Sequence, residues 1–443
     1  MNTPILDFLN RYAASGTARL HMPGHKGQSM LGCELFDITE IDGADSLYEA
    51  GGIIAQSEAN ATALFGSART LYSTEGSSQC IRAMLYLLLT CKGENTSPVI
   101  LAGRNVHKAF VYAAALLDFE VVWLWPEENR SLCRCQISEN QLEAALSGMK
   151  TAPAAVYLTT PDYLGGTADI ATLAAVCHRH GVPLAVDNAH GAYLHFMQTP
   201  RHPLDLGADI CCDSAHKTLP VLTGGAYLHI AKSAPAAYSA NAKSAMALFG
   251  STSPSYLILA SLDHCCRYLA EGYRKRLSQT VAALCKLRSE LQSCGLLLPE
   301  SDPLRLTFEA AGHGFTLAER LRAFGGVCEY ADPDFLVLML TPENTKKDFE
   351  LILNAFDDPS FSAQPVGKLP IAKGEAVFSI RKALFHPHEA VPASEALGRI
   401  CGAPTVSCPP AIPIAVSGER IGGEAVELFR YYGIDTVDVL TEN

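Results

Sequence analysis

The chain has 443 residues, 48% of them hydrophobic and 18% charged, a composition that excludes a disordered protein and leaves core enough for two or three domains. Its formal net charge of -12 argues against a general nucleic-acid binder, which needs a basic face, and suits cationic small molecules better. The fifteen cysteines are scattered without any Cys-x-x-Cys, so free thiols in a reducing cytoplasm are expected rather than a zinc ribbon or a thioredoxin-like motif. The amino terminus lacks the basic-then-apolar pattern of a signal peptide, no apolar run reaches membrane-spanning length, and no internal repeat is visible.

Residues 1–50 read as an arm rich in turn formers, in which LHMPGHKG (Leu20 to Gly27) is broken by Pro and Gly. A helical pattern follows from Ile54 to Phe65. Next comes STEGSS (Ser73 to Ser78), leading into Ile81, Met84, Leu85 and Leu88 at helical spacing. By itself this is either an ordinary helix cap or a phosphate cradle, since both use hydroxyls and the free amides of a helix start.

Strand candidates then alternate with helices: Val99–Ala102, Val121–Trp125, Ala155–Thr159, Leu184–Val186, Ile210–Cys212 and Ala226–Ile230, with helical stretches at Lys108–Leu117, Ser138–Ser147 and Ile170–His180. Such alternation predicts a parallel sheet covered by helices. Ligands of open α/β sheets bind outside the carboxyl ends of the strands. Polar groups stand at those ends: His107 in RNVHKAF, the turn Thr160-Pro161-Asp162-Tyr163, then Asp187 and His190, then Ser214, His216 and Lys217. One Asp, several His, a Ser and a Lys are thus predicted to converge on one crevice.

Beyond Ile230 a polar break at 251–255 opens a long helical segment from Tyr256 to about Ser293. From Leu304 the pattern is strand, helix (Thr316–Phe324), paired strands (Val327–Tyr330 and Phe335–Leu340) and helix (Thr345–Phe356), a compact α+β unit. Residues 357–369 read as a linker. A last unit holds a helix around Ser394–Ile400, the proline-rich loop 407–413 and a helix through Ala425–Tyr432.

These separated motifs, together with VDNAHGAYLHF, SAHKTLPVLTGG, STSPSYLILASLD and the carboxyl-terminal PPAIPIAVSGERI, occur in the order found in the bacterial ornithine/lysine/arginine decarboxylases, which the chain resembles over nearly its whole length. The resemblance implies the aspartate-aminotransferase-like α/β fold of type I pyridoxal-phosphate enzymes. That fold has a mostly parallel seven-stranded sheet in a large domain and a smaller α+β carboxyl-terminal domain. The corresponding boundaries here are an arm at 1–50, a cofactor-binding domain at 51–290 and a small region at 291–443, with a subdivision near 357–369. There is no room before HMPGHKG for the wing domain of larger members, so a short form is expected.

Residue by residue, the resemblance makes Lys217 the lysine that carries the cofactor and Asp187 the partner of its pyridine nitrogen. His107 would stack on the ring. Gly76, Ser77 and Ser78 would hold the phosphate, joined by Ser214 and His216. His190 would either orient Asp187 or face the substrate, and Lys217 and His216 would supply the proton that follows loss of carbon dioxide. The implied substrate is arginine, lysine or ornithine, and the implied assembly is a homodimer with the active site at the subunit interface. A transaminase or lyase on the same fold, or a catalytically silent relative, would keep many of the same residues.

Three positions depart from the family pattern. Asn188 stands where Glu is common, Gly224 where Gln is found, and Glu75 where Asn or Gln usually precedes the phosphate-loop glycine. A carboxylate beside a phosphate is unfavourable unless it points away or is paired. Asp45, Glu49 and Glu389 are the candidate carboxylates for the distal cation of the substrate.

Overall fold

The computed structural model describes residues 1–91, 98–357, 363–406 and 412–441. In chain order the strands of the main sheet are β1 (Arg69–Ser73), β2 (Val99–Gly103), β3 (Glu120–Leu124), β4 (Ala155–Thr159), β5 (Leu184–Asp187), β6 (Ile210–Asp213) and β7 (Ala226–Ile230). They form one seven-stranded sheet in the order β1-β7-β6-β5-β4-β2-β3. Six fall on the strands read from the sequence. β1 is the addition, and its sequence hides it because RTLYS begins and ends on polar residues. The chain divides into two compact units, Met1–Glu94 with Ile170–Leu277 and Asn95–Asp169 with Ser278–Asn443.

In the first unit β5 and β6 run parallel, while β7 is antiparallel to both β6 and β1. β5, β6 and β7 are buried along their whole length, which explains their continuous apolar sequences. Helix Ser77–Thr90 packs on β6 and β7 and buries Cys80, Ile81, Met84, Leu85 and Leu88. A fully buried aliphatic side chain stabilises the fold by roughly 1.5–3 kcal/mol.

The arm contains a helix that the turn-rich reading missed, Pro4–Ala14. Its buried residues Ile5 and Leu9 are four apart, and its first amides are capped from far along the chain. Asp263 Oδ2 accepts the Ile5 and Leu6 amides at 2.9 and 3.0 Å, and Oδ1 accepts the Ser57 hydroxyl at 2.5 Å. Locally the helix start is marked only by Thr3-Pro4, and the Thr3 side chain makes no cap hydrogen bond. The long helical segment is in fact two helices, Tyr256–Ala270 and Tyr273–Ser293, separated at Gly272, whose φ of +77° no helix tolerates.

In the second unit β2 lies between β4 and β3, all parallel. A separate antiparallel sheet has the order β8 (Arg305–Glu309), β10 (Phe335–Met339), β9 (Tyr330–Ala331), with helices Gly314–Ala323 and Lys346–Phe356 beside it. This is the expected α+β unit, although β9 is shorter than the predicted strand. The predicted helix near Ser394–Ile400 is only a 3-10 turn, Ala393–Glu395, because Gly398 at φ +80° turns the chain away. Parts of the 357–369 linker and of the 407–413 loop lie outside the described residues.

One buried ion pair ties the RNVHKAF segment to the carboxyl-terminal motif. Arg104 Nη1 and Nη2 donate to Glu419 Oε1 and Oε2 at 2.9 and 2.8 Å, and Nη2 also reaches the Ile414 carbonyl at 3.1 Å. The guanidinium lies 4.8 Å from the ring centroids of both Trp123 and Trp125. The fork geometry matches a carboxylate, and the rings replace water on the cation. Removing one partner strands the other charge, so Glu419→Ala is expected to cost roughly 3–5 kcal/mol in urea unfolding.

Asp162 gives the same unit a pH dependence. Its side chain accepts the Gly166 amide at 2.8 Å and lies 3.9 Å from Arg134. Burial pushes its pKa up from 3.8 to about 6, against the opposing pull of Arg134, the Gly166 amide and Arg305. The folded value lies above the unfolded one, so the native state retains a proton that the unfolded chain releases. The stability this contributes is present below pH 3.8 and is lost as pH rises through about 6. Urea unfolding from about pH 4 to about pH 6 is expected to have that component of its slope flattened in Asp162→Asn.

Candidate active site

The directions of three strands assemble the site. β7 is antiparallel to both β1 and β6, and β5 is parallel to β6, so β1, β5 and β6 all end at one edge of the sheet. After β1 the chain turns through Ser73, whose hydroxyl meets the Gly76 carbonyl at 3.0 Å and Gln79 Oε1 at 2.6 Å. Gly76 then adopts φ +73°, and its amide donates to the Gly224 carbonyl at 2.7 Å. A Cβ there would meet nothing nearer than the Ser78 amide at 4.0 Å, so the space above the helix start is open. Helix Ser77–Thr90 begins at this point with no side-chain cap. Its first amides and the positive end of its dipole suit an anion.

Ser214, which follows β6, donates its hydroxyl to Ser77 Oγ at 2.8 Å. The two hydroxyls expected to hold a phosphate from opposite sides are therefore in contact. The short helix Ala215–Thr218 carries His216 and Lys217. His216 Nδ1 lies 3.0 Å from the Gly225 carbonyl, so that nitrogen bears the proton of the neutral ring. Burial lowers its pKa, against the Gly225 hydrogen bond. The half-buried Lys217 Nζ lies 3.0 Å from His190 Nε2. His190 thus meets the lysine, a contact that sequence alone did not single out.

Asp187 closes β5 and is 2% exposed. Its Oδ1 accepts the Ala189 amide at 3.2 Å and faces the Cys212 thiol at 3.7 Å. His107 belongs to the second unit, where it caps helix Lys108–Leu117 by accepting the Ala109 amide on Nδ1 at 3.2 Å. That bond fixes the tautomer with the proton on Nε2.

The departures from the family pattern have local causes. The Glu75 carboxylate is paired, accepting the Ser251 amide. Gly224 has φ +97°, and a Cβ there would come within 2.9 Å of the Thr74 carbonyl oxygen, so a side chain is excluded. Asn188 donates to Asp213 Oδ1 at 2.6 Å. Two of the candidate carboxylates for the substrate are already committed. Asp45 accepts the amides of Ser46, Gly51, Gly52, Ile54 and Ala55. Burial opposes its charge, but the hydrogen bonds from Gly51, Ser46 and their neighbours outweigh it and lower the pKa. Glu389 pairs with Arg399 at 2.5 Å, and Glu49 is exposed.

Sequence reading overlooked a buried group on the far side of these strand ends. Asp213 is fully buried and accepts from His202 Nε2 at 3.0 Å, His229 Nε2 at 3.1 Å and Asn188. Burial alone would raise its pKa, but His202 and His229 hold it below the usual carboxylate range. The available signal was positional: Cys211 and Asp213 are two apart on β6, and His229 is the register partner of Cys211.

Among known proteins, the family model for the major domain of Orn/Lys/Arg decarboxylases matches residues 3–309. An uncharacterized protein of Bacillus subtilis, YaaO, is 31% identical over 96% of this chain and 93% of its own length. An arginine decarboxylase of the same organism is 27% identical over 96% of this chain and 92% of its own. In structure, the chain resembles a Francisella novicida lysine decarboxylase, LdcF, with a TM-score of 0.82 at 18% identity, over 99% of this chain and 81% of that one. A Sphingomonas wittichii serine palmitoyltransferase is also similar, with a TM-score of 0.58 at 16% identity, over 80% and 83%. These likenesses establish the aspartate-aminotransferase-like fold of type I pyridoxal-phosphate enzymes. With an amino acid decarboxylase model spanning most of it, this chain belongs to the Orn/Lys/Arg decarboxylase family.

Proposed function

We propose that this chain is a pyridoxal-phosphate-dependent decarboxylase of arginine, lysine or ornithine, yielding an amine that is a polyamine precursor. The observation that carries this reading is the Lys217 amine held 3.0 Å from His190, in one unit with the buried Asp187 and the Ser77–Ser214 hydroxyl pair. The donor set fits the cofactor. An uncapped helix start with an open space above Gly76 suits a phosphate dianion, and a buried carboxylate at a strand end suits a protonated pyridine nitrogen.

Bound there, the cofactor would supply an electron sink for the carbon that loses carbon dioxide. The hydroxyls of Ser77, Ser78 and Ser214 and the first amides of helix Ser77–Thr90 would hold its phosphate end, with Gly76 keeping the space above them open. Asp187 would face the ring nitrogen and favour its protonated form, and the resemblance adds His107 as the group that would lie on the ring face. Lys217 would provide the amine that carries the cofactor, and its Nζ would serve as a proton donor. His190 exchanges a proton with Lys217 Nζ across their hydrogen bond. His216, anchored on the Gly225 carbonyl, presents Nε2 as a second proton-transfer group.

Every cysteine among the described residues is a free thiol, which supports a reducing compartment. The exposed Leu20, Met22, Met30 and Leu31 of the arm support a second subunit covering it. The test is carbon dioxide release from arginine, lysine and ornithine by the cofactor-loaded protein, with the amine product identified. Release from one of the three is expected, and release from none overturns the proposal. Lys217→Ala is expected to abolish both turnover and the visible band of the lysine-bound cofactor. His190→Gln is expected to keep the band and lower kcat by about 10²–10⁴.

A further inference from the structure

β5 and β6 present alternate residues to opposite faces of the sheet. Asp187 and Cys212 are register partners and share one face, the face of the Cys212–Asp187 contact. Cys211 and Asp213 point to the other face, beside His229 of β7. Asn188 continues the ladder by donating its amide to the Cys212 carbonyl at 2.9 Å, and its side chain turns toward Asp213. Two adjacent residues therefore straddle the strand end, with Asp187 on the cofactor face and Asn188 gripped from behind.

The grip is a fully buried anion with three donors. His202 Nδ1 accepts the Leu204 amide at 3.4 Å. An amide can only donate, so that nitrogen is unprotonated and Nε2 carries the proton given to Asp213. His229 is oriented from behind by Thr70, whose hydroxyl is 2.8 Å from Nδ1 and is itself 2.7 Å from the Ser67 hydroxyl. His202, Cys211 and Asp213 are close enough to share a metal ion. A metal on His202 Nε2 would force a proton onto Nδ1, facing the Leu204 N–H, so the same tautomer argues for hydrogen bonding instead. A second carboxylate at position 188 would sit beside Asp213 with no exposure to water. A carboxylate there is unfavourable beside Asp213, whereas the Asn188 side-chain amide supplies a donor to it.

We propose that Asp213 is a positioning residue: by holding the Asn188 side chain from the far face of the sheet, it sets the direction in which Asp187 meets the ring nitrogen of the cofactor. The inference rests on the cofactor reading above. It assigns to Asp213, His202 and His229 a role in cofactor binding although none of them touches the cofactor.

Asp213→Ala, Asn188→Asp and the double variant Asn188→Asp/Asp213→Asn separate this role from simple support of the core. Each protein is reconstituted with pyridoxal phosphate, and its dissociation constant, visible band and induced circular dichroism are read beside the melting temperature of the apo form. Asp213→Ala leaves three donors without an acceptor, and Asn188→Asp sets two buried carboxylates together. Each is expected to weaken cofactor binding about 10- to 100-fold and to alter the band and its dichroism. In the double variant the amide introduced at position 213 would accept the imidazole protons and donate to the carboxylate introduced at position 188. That exchange is expected to restore affinity to within about threefold of wild type and to return both spectra. His202→Gln, which keeps the anion, is a milder variant in case the others do not fold. It is expected to weaken binding about 3- to 10-fold with the same spectral change.

The inference is overturned if the variants lower only the melting temperature while affinity and spectra stay at wild-type values. It is equally overturned if Asp213→Asn fails to rescue Asn188→Asp. A wild-type protein that takes up no cofactor overturns the functional reading itself, an outcome distinct from both.

Discussion

The antiparallel course of β7 between β1 and β6 is what brings the candidate site into being. Because β7 runs against both neighbours, β1 and β6 share a direction, and the polar segments that follow them emerge at the same edge. The turn that feeds β7 closes this edge from the side. Its Gly224 carbonyl receives the Gly76 amide, and its Gly225 carbonyl receives the His216 amide at 3.2 Å and ring. The helix start that suits a phosphate and the helical turn that carries Lys217 are thereby anchored to the same pair of glycines. Gly224 is indispensable to this closure, since its φ and the nearby Thr74 carbonyl leave no place for a side chain.

Each unit also commits hydrogen bonds to charges that sequence composition would place at the surface. In the second unit the charge of Arg104 is neutralised by a bidentate carboxylate and covered by two indole rings. In the first unit Asp213 is stabilised by two imidazoles and an amide that donate together. Losing any one of these donors would leave part of a buried anion unsatisfied. The two solutions differ in what they hold. The ion pair fastens a carboxyl-terminal loop to a strand end, whereas the anion fastens one strand end from behind.

Much of the fold was legible because its physics is local and periodic. Short apolar runs such as Leu184–Asp187 and Ile210–Asp213 are buried strands wherever helices cover both faces. The spacing of Ile81, Met84, Leu85 and Leu88 is enough to define a buried helix stripe. The failures were nonlocal. The arm helix Pro4–Ala14 has only the short start signal Thr3-Pro4, and its first amides are held by Asp263, more than two hundred residues away. The break at Gly272 needed a positive φ, and a lone Gly in a helical pattern does not disclose its backbone angle.

At the site, the sequence by itself determined which chemical groups would be present and the order in which they leave the sheet: hydroxyls and Gly at a helix start, then Asp187, then Ser214 and Lys217. Residue type and period carry that information, because strand ends and helix starts are recognisable within a few neighbours. Only the tertiary structure decided how those groups are paired. It set Lys217 against His190, Ser214 against Ser77 and Asn188 against Asp213, and it committed Asp45 to its own turn. Hydrogen-bond partners are chosen by three-dimensional proximity and by which lone pairs remain after burial, and neither quantity is written in the spacing of residues along the chain.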